Sequence, residues 1–175
     1  MTVFPASGQP QPDGESSREP SKADYDLSKL NWIRQIDNSD PQRPVDTSTA
    51  VVGGDVAAGR VDFFSKWEPN SYCPLHRHLG DTISVVLQGE HFIEELDGSR
   101  RMRPPGHYAC TRAGELHWEH AGPGGSVVFF SLQSPGDGVF EVNDREGNAL
   151  AVITLEQLLN GELLSLDDLP LAASR

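Results

Sequence analysis

His76 and His78 stand two residues apart in the stretch Cys73-Pro-Leu-His-Arg-His-Leu-Gly80. On a β-strand that spacing puts both imidazoles on one face, where their ring nitrogens can converge on one point. Neutral imidazole suits zinc, copper, iron and nickel, whereas magnesium and calcium prefer oxygen ligands. The pair is therefore half of a transition-metal site. Leu79-Gly80-Asp81 reads as a turn, and the β-branched run over residues 82–87 reads as a strand hairpinning back and stopped by Gly89. A candidate for the other half lies at residues 106–117, where a short strand and a Gly114 turn precede a strand opening with His117.

The rest of the chain must position these residues. Short apolar runs recur from about residue 50 to residue 154, separated by turn signals such as Gly53-Gly54, Asp97-Gly98, Pro104-Pro105-Gly106 and Gly122-Pro-Gly-Gly125. Many short strands at regular spacing imply an all-β sandwich or closed barrel. Thr154-Leu-Glu-Gln157 fits a helix capping box, with a short helix over 155–160 and Gly161 as its stop. Residues 1–23 are rich in Pro, Gly and Ser, too poor in apolar side chains to offset ordering entropy, and are expected to form a flexible tail. Residues 24–50 form an arm anchored by Leu30, Trp32 and Ile33, and residues 51–175 hold the barrel, a C-terminal hairpin and the helix.

Composition narrows the function. The 175 residues carry 14 Lys+Arg against 26 Asp+Glu, a formal net charge of −12. That balance disfavours nucleic acid and anionic membranes, both of which need basic faces. No apolar run reaches 18 residues, the N-terminus has no basic-then-apolar leader, and two cysteines are too few for a disulfide scaffold. A cytoplasmic protein with a small-molecule partner is expected. The apolar outer face Ile83-Val85-Leu87 and the leucine-rich end point to a homodimer.

Residues 70–89 and 106–121 together resemble the two signature motifs of the cupin superfamily. In the first motif Asn70 stands for the leading Gly, His76 and His78 match, Thr82 sits where Glu is expected, and Gly89 closes the pattern. In the second, Gly106, Gly114 and His117 match, while Arg112 replaces Pro and Ala121 replaces Asn. The resemblance implies a jelly-roll β-barrel in which His76, His78 and His117 bind one metal.

Thr82 in place of a carboxylate leaves three neutral ligands and the metal's full charge, suited to an anionic bidentate ligand such as an enolate. Within the superfamily this is similar to three-histidine iron dioxygenases of the acetylacetone-cleaving and dihydroxyacetophenone types. That similarity implies Fe(II), O2 and cleavage of a carbon–carbon bond in a small β-diketone or hydroxyketone. The alternatives are a non-oxidative metal cupin using Zn2+, such as a polyketide cyclase or isomerase, and a zinc-binding sensor or regulatory domain. Strand alternation places Thr82, Ser84 and Val86 on the pocket face, and Glu119 beside His117 as a group that could orient a ligand or shuttle a proton. Of the remaining histidines, His91 and His107 are expected in solvent, and His120 on the face opposite His117.

Overall fold

The computed structural model describes residues 26–166 together with 169 and 171, so the expected tail over residues 1–23 lies outside the described residues. Ten strands follow a short 3-10 turn: β1 Ile33–Asp37, β2 Val45–Asp55, β3 Arg60–Trp67, β4 His76–His78, β5 Asp81–Glu94, β6 Arg100–Arg103, β7 Tyr108–Thr111, β8 Leu116–Gln133, β9 Gly138–Asn143 and β10 Ala149–Thr154. The helix α1, Leu155–Leu159, closes the order. All named strand pairs are antiparallel.

The 18-residue β8 is the spine. One edge pairs with β3 from Trp67↔Ser126 to Arg60↔Gln133, and the other pairs with β5 from Asp81↔Gln133 to Glu94↔Trp118. At its start β8 also pairs with β4, which continues to β9 and β10. Strands β2 and β1 extend the sheet beyond β3, while β6 and β7 lie along β5. The result is one curled sheet wrapped around an apolar interior. Val61, Phe63 and Trp67 alternate inward from β3 and meet Val128, Phe130 and Leu132 of β8. Phe63 and Phe130 stack at 5.0 Å.

Several boundaries differ from the sequence expectation. Gly89 does not stop its strand, and Gly122-Pro-Gly-Gly125 is not a turn between two strands. Instead β5 and β8 both run through, and their register shifts between Gly89↔Ser126 and His91↔Ala121. Gly89 adopts φ 72°, and a Cβ there would come within 1.9 Å of the Gly125 carbonyl oxygen. These glycines bend a pair of long strands, which is how β8 can serve both layers. Nor do β4 and β5 form a hairpin. Gly80 presses so closely on Gln133 that a Cβ would lie 2.3 Å from its carbonyl oxygen, and the chain crosses there from one layer to the other. The sheet also begins earlier than residue 51, because β2 starts at Val45 and β1 pairs along it.

The C-terminal helix forms as its sequence implies. The Thr154 hydroxyl accepts from Gln157 N, and Gln157 Oε1 accepts from Thr154 N, completing a capping box. Gly161, at φ 73°, ends it. Leu155 and Leu158 bury against the barrel core.

Candidate metal centre

Strand β4 is three residues long, and its orientation is set by Arg77. That side chain donates to Glu141 Oε1 at 3.1 Å and to the Gly114 carbonyl at 3.0 Å. With Arg77 held outside, alternation sends His76 and His78 inward. His117 opens β8 directly opposite His76 in the ladder. The three rings stand 5.0 Å apart, centroid to centroid, for every pair. One ring nitrogen from each lies within 4.8 Å of the other two, and the Nε2 atoms of His76 and His78 are 3.2 Å apart. Ligands about 2.1 Å from one ion, separated by roughly 100°, would show a similar spacing.

Hydrogen bonding leaves these nitrogens free for a cation. His76 Nδ1 donates to the Pro74 carbonyl at 3.0 Å, so its Nε2 keeps a lone pair. His78 Nδ1 lies 2.8 Å from Thr82 Oγ1. Both nitrogens of His117, a residue with no solvent exposure, lack a hydrogen-bond partner among the described residues. Buried polar atoms rarely stay unsatisfied, and a metal ion would satisfy one of the two. Burial, followed by the charge of His76, drives the His117 pKa down to about 3. Burial also drives His78 well below the ordinary imidazole value. Both are neutral at physiological pH, and the donor set fits a transition metal.

Glu119 follows His117 on the same face of β8. It is buried, with Oε1 3.9 Å from His117 Nε2 and 3.5 Å from His91 Nε2. The latter is an ion-pair distance, but His91 Nε2 makes no hydrogen bond of good geometry. Burial pushes the Glu119 carboxyl up, yet His91, His117 and His76 outweigh it and hold the acid below the ordinary carboxylate range. Cys73 Sγ lies 3.4 Å from His76 Nδ1 and accepts from Glu119 N. Burial and the Glu119 charge keep it a neutral thiol.

A cavity of about 110 Å³ opens beside this group. His76, Cys73 and Glu119 form its polar end, while Phe63, Phe130 and Phe140 contribute to an apolar wall. Leu163, Leu164 and Leu166, from the chain after α1, also line it. Gln35 Nε2 donates to the Leu164 carbonyl at 2.8 Å and ties that segment to β1.

The expected pocket residues are placed otherwise. Thr82, Ser84 and Val86 face inward and are buried, but none lines the cavity, which lies on the side of β2, β3, β9 and β10. Thr82 stands behind the His78 ring, Ser84 Oγ accepts from Arg103 Nη1 at 3.2 Å, and Val86 is core. Asp81 is outside the centre, paired with Arg112 and the Ala113 amide. His91 is not in solvent: it is fully buried, with its ring 4.6 Å from Trp67. The register shift between Val86 and Gln88 puts one extra residue into β5 and so turns His91 inward, which simple alternation could not show. His107 is exposed as expected. His120 stacks between Tyr72 and Phe92 beside Glu94, in a separate buried polar cluster.

Sequence reasoning missed Arg103 and Phe140. Arg103 is 8 % exposed and reaches Ser84 from β6, a placement that depends on strand pairing alone. Phe140 packs edge-on against both His76 and His78, and inward alternation within residues 139–142 could have found it.

Comparison with protein-family models and with curated protein sequences finds no match. Solved structures do match. An RmlC-like cupin protein from Ralstonia eutropha aligns at TM-score 0.61 and 16 % identity, covering 78 % of this chain and 82 % of that one. An acetylacetone dioxygenase from Acinetobacter johnsonii aligns at TM-score 0.60 and 13 % identity, over 93 % of this chain and 97 % of its own. The polyketide cyclase RemF from Streptomyces resistomycificus aligns at TM-score 0.50 and 17 % identity, over 75 % and 84 %. These likenesses establish the cupin jelly-roll fold.

Proposed function

We propose that the protein is a metal-dependent cupin oxygenase that uses Fe(II) and O2 to cleave a carbon–carbon bond in a small β-diketone or hydroxyketone. The observation that carries the reading is the buried trio His76, His78 and His117, whose ring nitrogens converge, those of His117 without a hydrogen-bond partner among the described residues, with a hydroxyl, Thr82, where a carboxylate ligand would be expected. A ferrous ion held there would supply a Lewis-acid centre for two substrate oxygens and one-electron chemistry towards dioxygen. The acetylacetone dioxygenase likeness over nearly the whole chain supports this choice of chemistry.

The chain's own residues divide the remaining work. The cavity suits a small compound, since one of about 150 Å³ holds benzene. Phe63, Phe130 and Phe140 exclude water from it and hold the carbon skeleton. Glu119, kept ionised on the cavity wall, would accept the proton released when a bound diketone ionises to its enolate. Cys73, protonated at neutral pH, adds no charge to that wall.

The test is an oxygen-electrode assay on iron-loaded protein with acetylacetone and with a small aliphatic hydroxyketone, alongside metal analysis of the protein as purified. Oxygen uptake with stoichiometric bond cleavage supports the reading. Zinc in the purified protein, with no oxygen uptake on either compound after iron loading, would favour a non-oxidative cupin, the reading that the polyketide cyclase likeness supports.

A further inference from the structure

We propose that Thr82 is a positioning residue that acts on the metal through the back of His78, by fixing which ring nitrogen carries the proton. The proposal rests on His76, His78 and His117 holding a metal. Thr82 Oγ1 lies 2.8 Å from His78 Nδ1, on the nitrogen turned away from the 3.2 Å contact between His78 Nε2 and His76 Nε2. Both residues are about 1 % exposed, so no water competes for the contact. The same hydroxyl donates to the Gly80 carbonyl at 3.3 Å. A hydroxyl has one hydrogen, and with that hydrogen on Gly80 O it offers His78 only lone pairs. His78 must then carry its proton on Nδ1 and present Nε2, unprotonated, to the metal.

The Gly80 carbonyl is held in place by the close packing of Gly80 on Gln133 and Ser134, where any larger residue would clash with backbone. A relay from fixed backbone through Thr82 to His78 is thereby built into the crossing between β4 and β5. His76 receives the equivalent support from the Pro74 carbonyl, whereas His117 Nδ1 has no partner among the described residues. Thr82 occupies the position where the cupin pattern expects a ligand, and here it holds a ligand instead.

The experiment measures zinc affinity by chelator competition for wild type, Thr82→Val and Thr82→Ser, with the melting temperature of each metal-free protein as control. Valine keeps the shape and removes the hydrogen bond, and should weaken zinc binding by about 10- to 100-fold. Serine keeps the hydroxyl and should stay within about 3-fold of wild type, a rescue that a purely steric role would not produce. In zinc-loaded wild type, nitrogen-15 NMR should show His78 protonated at Nδ1, a readout that stands even if the valine variant fails to fold. Equal affinity of the valine variant, or a His78 coordinated through Nδ1, overturns the proposal while leaving the three-histidine centre intact. Wild type that binds no zinc overturns both.

Discussion

Lowering the pH from 7.5 to 5.0 should weaken zinc binding far less than a site of three ordinary imidazoles would allow. An imidazole titrating near 6.5 is about 97 % protonated at pH 5, so each such ligand costs about 30-fold in apparent affinity, and three cost about 3 × 10⁴-fold. In this site burial, reinforced by the charge of His76, places His117 at about 3. Burial sets His78 well below its ordinary value too. A group titrating near 3 remains about 99 % neutral at pH 5, so protons do not compete for it over this interval. With His117 out of the competition, the loss should be smaller than that of three ordinary imidazoles by at least one such share, about 30-fold. Competition against a chelator of known protonation behaviour, at several pH values, measures this directly. A loss beyond about 1,000-fold would show that at least two of the histidines titrate normally, and would refute their burial as neutral ligands.

The same burial makes the metal-free protein acid-sensitive. His117 binds its proton more weakly folded than unfolded, so stability falls as pH drops from about 6.5 towards 3, by roughly 5 kcal/mol at most from this residue, readable by urea titration. His76→Ala should lower zinc affinity by about two orders of magnitude and abolish oxygen uptake, with the circular dichroism spectrum retained. Glu94→Gln should cost about 3 kcal/mol in urea, because the buried carboxylate holds Arg43 and Arg100 at 2.8 Å each. Burial raises Glu94, but Arg43 and Arg100 outweigh it and lower its pKa. Its contribution is therefore present above the unfolded value near 4.3, is lost as pH falls through the folded one, and should vanish from the acid limb of the variant. Val142→Phe should fill part of the cavity beside His76, raising KM for the larger ketone while zinc binding is kept. Ile83 and Leu87, 38 % and 39 % exposed on one face of β5, support a homodimer that light scattering at micromolar concentration would detect.

Much of the centre was legible because its determinants are local. The His-x-His spacing on a strand puts two rings on one face whatever surrounds it. The glycines of both motif segments fall where the backbone needs positive φ: Gly89 at 72°, Gly106 at 83° and Gly114 at 94°. Asn70 is instructive, because it adopts φ 57° in the position of the expected leading glycine. Asparagine tolerates the left-handed region better than most residues, so the pattern survived the substitution. The helix cap at Thr154 was equally local, needing only two side chains three residues apart.

What sequence by itself determined, then, was the all-β class, the inward histidine pair, the helix cap and the turns at Gly98, Gly106 and Gly114, each set by contacts within a few residues. Tertiary structure decided the rest. It brought His117 opposite His76, and it turned a supposed hairpin at Gly80 into a crossing between layers. It carried β5 and β8 through their glycines, put an extra residue into β5 before Gln88 that moved His91 from solvent to the interior, and set the cavity on the side away from Ser84 and Val86. The physical reason is that alternation predicts facing only while the register is unbroken. One extra residue between Val86 and Gln88 re-aims every β5 side chain beyond it, and only the partner strand, which meets Val86 at Val128 and Gln88 at Val127, determines where that shift falls.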